Sequence, residues 1–80
     1  MIKTIYNQTE RNSKFPDKIT IKIIAASNHS RMFYISYCDL CYAYDSISQF
    51  RADKNNWFYN NISGDQYNEM TIAMEKYAYA

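Results

Sequence analysis

The stretch that most constrains the fold is residues 18–26, KITIKIIAA. Ile19, Ile21 and Ile23 alternate with Thr20 and Lys22, the period-two pattern of a strand with one buried and one solvated face. A turn-like SNHS follows, and then RMFYISYC, a second β-rich run. The register between the two follows from which residues can share a face. A three-residue loop at 28–30 sets Ala25 opposite Phe33, Ile23 opposite Ile35 and Ile21 opposite Tyr37. A loop one residue shorter or longer opposes Ile23 to Tyr34 and mixes the faces. Asn28 and His29 also tolerate the left-handed backbone that short loops need. The expected inner face is Ile19, Ile21, Ile23, Phe33, Ile35 and Tyr37, and the outer face is Lys22, Ile24, Met32, Tyr34 and Ser36.

The rest of the chain can be placed around this hairpin. MIKTIY reads as a strand over residues 2–6, and the polar NQTERNSKFPDK reads as a loop. After Tyr44 the period changes. SISQ is a capping box with Ser46 as N-cap and Gln49 three residues on. Ile47, Phe50, Trp57 or Phe58, and Ile62 then share one helical face, with Asn55 and Asn56 positioned to fray or bend that helix. Gly64 is expected as its C-cap and Asp65 as the next N-cap. A last helix over residues 66–77 carries Tyr67, Met70, Ala73, Met74 and Tyr77 as its buried stripe. The expected architecture is α+β, an antiparallel three- or four-stranded sheet with two C-terminal helices packed on one face. The count is three strands if CDL continues the third strand and four if CDL breaks it. Eighty residues suit a single domain, 1–80.

Composition narrows the chemistry. The chain is 48% hydrophobic and 18% aromatic, too apolar for a disordered segment. Its formal charge of +1 is too low for a strongly nucleic-acid-binding chain. Residues 1–38 carry most of the lysine and arginine, and residues 39–80 most of the acids, which is either the accidental asymmetry of a small polar chain or a basic surface facing an acidic or nucleic-acid-laden partner. No window is apolar enough for a membrane span and no signal core is present, which gives an expectation of a cytoplasmic protein with reduced thiols. Cys38 and Cys41 supply two ligands where a structural zinc needs four, and a redox pair of this spacing normally opens a helix. His29, the single histidine, has no nucleophile or orienting acid at a recognisable spacing. One glycine leaves no phosphate loop. The expectation is a protein that is not an enzyme and takes no cofactor and no metal.

Nine tyrosines are what remains. On a continuous third strand Tyr34, Tyr42 and Tyr44 share parity and line the outer face beside Lys22, with Tyr6 closing the first strand. Tyrosine combines a large rigid contact area with a polar tip and is enriched in binding hot spots. Tyr6, Lys22, Tyr34, Tyr42 and Tyr44 are therefore the expected partner-binding residues.

The segments YDSISQF, NNWFYNN and IAMEKYA, together with an opening strand that ends in tyrosine, resemble a family of small phage anti-CRISPR proteins that inhibit the type I-F surveillance complex. The shared features are Tyr44-Asp45-Ser46 before the first helix, Trp57-Phe58-Tyr59 near its end and Ala73-Met74 in the last helix. The resemblance implies a meander followed by two helices, with the sheet face bound to Cas backbone subunits so that target DNA cannot hybridise. It carries over one contact residue, Tyr6, and implies the cytoplasm of a host bacterium. The expected function is thus a phage-encoded inhibitor of a host defence complex acting by protein–protein contact. The alternative is a small protein that binds single-stranded nucleic acid, its aromatics stacking on bases.

Overall fold

The computed structural model describes residues 2–11, 20–27 and 32–78. Strands β1 (Ile2–Thr9), β2 (Thr20–Ala26), β3 (Phe33–Tyr37) and β4 (Leu40–Tyr44) precede helices α1 (Ile47–Ala52), α2 (Trp57–Asn61) and α3 (Gly64–Ala78). The strands form one antiparallel meander in the order β1-β2-β3-β4. The helices cover one face, α3 lying against β1 and β2 and α1 against β4. The fold is α+β, with four strands.

The alternating isoleucines do what their period requires. β2 and β3 pair with Ile21 opposite Tyr37, Ile23 opposite Ile35 and Ala25 opposite Phe33, the register that keeps large apolar residues on one side. The loop at 28–30 and Ile19 lie outside the described residues. Met32, expected on the outer face, instead packs against the core from its place before β3.

At YCDLCYAY the four-strand alternative holds, and the outward placement of Tyr42 and Tyr44 fails. Cys38 and Asp39 form a two-residue hairpin loop, with Tyr37 paired to Leu40. The third strand therefore ends at Tyr37 and a fourth begins at Leu40. Cys38 has φ 54, a left-handed conformation at the first loop position, as hairpin twist demands. The tight turn gives the new strand its own parity. Phe33 pairs with Tyr44, Ile35 with Tyr42 and Tyr37 with Leu40, which brings Tyr42 and Tyr44 onto the inner face rather than the outer one. β1 is longer than expected because Asn7, Gln8 and Thr9 pair with Lys22, Ile21 and Thr20, and an irregularity between Thr4 and Tyr6 inserts Ile5 as an extra residue.

The helical segment also differs. What the hydrophobic spacing suggests is one helix from Ile47 to Ile62 is two, broken at Asp53–Asn56. Asn56 is 1% exposed. Its Nδ2 donates to the Asp53 carbonyl at 2.8 Å and its Oδ1 accepts from the Tyr59 N–H at 2.7 Å, so it closes one helix end and caps the next. The break lets Phe50 and Phe58 both reach the sheet, each with no exposed surface. Full burial of such a side chain stabilises the fold by about 1.5–3 kcal/mol. Ser46 caps α1 as expected, accepting from the Gln49 N–H at 3.1 Å, while the Gln49 amide oxygen accepts from the Asp45 N–H. At the start of α3, Ser63 replaces Asp65 as the cap. Its Oγ accepts from the Gln66 N–H at 3.2 Å, and Gly64 is the first helical residue instead of a C-cap.

Candidate interaction surface

The inner face is closed by aromatic packing, with the Tyr42 and Tyr44 hydroxyls paired and the buried Tyr37 and Tyr67 hydroxyls without a hydrogen-bond partner among the described residues. Tyr37 stacks on Trp57 with ring centroids 4.4 Å apart, and Tyr42 meets Phe58 edge-on at 5.7 Å. Tyr44 meets Phe50 edge-on at 5.2 Å, and Phe50 stacks on Tyr67 at 5.1 Å. Edge and offset contacts of this kind add to the area they bury. Two of the phenols are anchored too. Tyr44 donates to Asp53 Oδ2 at 2.8 Å, and the Tyr42 hydroxyl accepts from the Trp57 N–H at 3.1 Å. Burial pushes the Tyr44 phenol well above its ordinary pKa, and the neighbouring Asp53 carboxylate adds to the shift.

Tyr6 belongs to the same side of the sheet. It is 8% exposed and its hydroxyl donates to Glu69 and accepts from the Gln66 side chain. Gln66 has no exposed surface, yet all of its polar atoms are engaged. Nε2 also donates to the Thr9 carbonyl at 3.0 Å, and Oε1 accepts from the Arg11 N–H at 3.0 Å. This side chain ties the end of β1 to α3. Arg11 in turn pairs with Glu69 and holds its carboxyl below the ordinary carboxylate range. These tyrosines support the fold, and none of the three offers its ring to a partner on the outer face.

The outer face is arranged in rows across the strands. Thr4, Ile24, Tyr34 and Ala43 form one row, and Ile2 with Ala26 forms a shorter one beside it. Asn7, Lys22, Ser36 and Cys41 form the next row, and Thr9 with Thr20 the last. One half of the face is thus apolar and the other polar. The apolar half holds an open cleft of about 290 Å³ lined by Ile2, Ile24, Ala26 and Tyr34. No described helix residue lines it. Ile2 is 64% exposed, high for a large aliphatic side chain in a strand.

Of the five expected partner-binding residues, Lys22 and Tyr34 lie on this face, in adjacent rows. Tyr6, Tyr42 and Tyr44 lie on the other. Ala26, 2% exposed, floors the cleft, and Ile2 and Ala43 join the surface without having been expected there. Their placement depends on the β1 irregularity and the β4 turn, and neither has a glycine or Asn-Gly signal in the sequence. Cys38 and Cys41 are exposed free thiols, one at the hairpin tip and one in the polar half of the outer face. Among the described residues no three His, Cys, Asp or Glu side chains converge as a metal site. No helix among the described residues is long and apolar enough to cross a membrane. No protein-family model, no curated protein and no solved structure matches this chain.

Proposed function

We propose that this protein is a binding module whose open sheet face docks a protein partner, and that it acts as an inhibitor of a host defence complex. The observation that carries the reading is the apolar half of the outer face. A small domain that places Ile2, Ile24, Ala26 and Tyr34 side by side without a helix over them leaves a surface suited to a flat, apolar partner. Tyr34 is the rigid anchor, and the polar row through Lys22 is the rim. The described helices lie on the opposite side of the meander, so none of them covers that face. The resemblance to anti-CRISPR proteins of the type I-F class supplies the more specific proposal, that the partner is a Cas surveillance complex and that docking blocks its engagement of target DNA.

Nucleic-acid binding fits this face less well. Among the described residues Lys22 is its one cation, and tracking a phosphate backbone needs several. The test is co-elution with a purified type I-F surveillance complex on a sizing column. The wild-type protein is expected to travel with the complex, and Tyr34→Ala and Ile24→Asp to separate from it. Tight, salt-sensitive binding of single-stranded DNA by the protein alone would overturn the inhibitor reading.

A further inference from the structure

A second surface meets the outer face only at Thr4. Between β1 and α3 runs an open groove of about 670 Å³, more than twice the volume of the outer-face cleft of about 290 Å³. Its wall on the β1 side is three consecutive residues, Lys3, Thr4 and Ile5. Successive side chains of a strand point to opposite faces, so a groove touching three in a row runs along the strand's edge. Among the described residues that edge is open, since β1 pairs with β2 alone. Ile5, the extra residue of the irregularity, sits at the groove on the α3 side and packs against the core. The α3 wall is Ile72, Ala73, Lys76 and Tyr77, with Ile72 42% exposed.

The charges in the groove have one sign to spare. Lys3 and Lys76 make no ion pair with any described residue. The groove's single carboxylate, Glu69, is engaged by Arg11 and Tyr6. The site is thus an apolar trough with two uncompensated ammonium groups and a free strand edge.

We propose that this groove is a docking site for an extended acidic peptide segment of a partner protein, which adds a strand to β1. Main-chain hydrogen bonds to the β1 edge hold the segment extended. An apolar side chain fills the space between Ile5 and Tyr77, and flanking carboxylates meet Lys3 and Lys76. This site shares only Thr4 with the outer face, so its test does not depend on the identity of the partner there.

The probes are three synthetic peptides, acetylated and amidated: Glu-Ser-Leu-Ser-Glu, Lys-Ser-Leu-Ser-Lys, and the first with its leucine nitrogen methylated. Each is titrated into the isotopically labelled full chain and followed by amide chemical shifts. The acidic peptide is expected to move resonances of β1 and the second half of α3 and to leave those around Tyr34 in place. The basic and the N-methylated peptides are expected to bind about tenfold more weakly or worse. In the Lys3→Glu, Lys76→Glu double variant, whose changes are on exposed side chains, the preference for the acidic peptide is expected to vanish or reverse. Equal binding of all three peptides, shifts centred on the outer face, or no shifts at all would each overturn the proposal.

Discussion

The two faces of this sheet use the same amino acid for opposite ends. On the inner face Tyr42 and Tyr44 are packed against Phe50 and Phe58 and anchored through their hydroxyls by α2 and by Asp53. On the outer face Tyr34 stands opposite Ile24 and Ala43 with no described helix over it. Nothing in the residue type separates the three. What separates them is one turn: Cys38 and Asp39 reverse the chain in two residues, and every side chain after it takes the parity of a new strand. A tyrosine-rich run is therefore evidence for binding only once its face is known.

The comparison can be broken most severely at the inner face. Phe58→Ala removes a fully buried ring that Tyr37, Tyr42 and Trp57 all touch, and about 3–5 kcal/mol of stability should go with it. In a domain of this size that is enough to lose cooperative thermal unfolding altogether. Gln66→Met should cost about 2–3 kcal/mol in urea denaturation, because the Arg11 N–H and the Thr9 carbonyl lose the partner that joins β1 to α3.

The inner phenols also set an alkaline limit. Burial is the first cause of a raised pKa at Tyr6, Tyr37, Tyr44 and Tyr67. The folded state therefore holds these protons more tightly than the unfolded chain, whose tyrosines titrate near about 10. The resulting stability is fully present below that pH and is lost as pH rises toward the folded values. The urea midpoint should hold steady up to about pH 9 and fall above about pH 10, in step with phenolate absorbance. A midpoint that rises there would contradict the burial of these rings.

The smallest expected effect lies at the turn that divides the faces. Cys38 sits at positive φ, where any side chain other than glycine is strained. Cys38→Gly should therefore raise stability by up to about 1 kcal/mol, after the extra backbone entropy of glycine is offset. Loss of stability on this change would argue that the chain does not reverse at Cys38–Asp39.

How much could be read from the sequence follows from where its signals were strong. The β2–β3 register was legible because Ile21, Ile23, Phe33 and Ile35 leave one arrangement that keeps a face apolar. The turn at Cys38–Asp39 was not, since neither residue is the glycine or asparagine that usually marks a two-residue loop. Tyr42 and Tyr44 went to the wrong face for that reason alone. The α1–α2 break was half legible. Asn55 and Asn56 suggested a bend, but that Asn56 would be buried as a cap depended on its contacts with Asp53 and Tyr59. The start of α3 was misplaced by two residues, because the Ser63 hydroxyl rather than the Asp65 carboxylate accepts from the first turn. The apolar half of the outer face needed Ile2 and Ala26 to meet. That pairing depends on a strand irregularity between Thr4 and Tyr6 that leaves no mark in residue type.

The central claim is that Tyr34 faces outward while Tyr44 is part of the core. The most direct test is the urea-unfolding free energy of Tyr34→Ala beside that of Tyr44→Ala. Tyr44→Ala should lose about 3 kcal/mol or more, and Tyr34→Ala no more than about 1 kcal/mol. Equal losses, or a larger loss at Tyr34, would show that the two faces are the other way round.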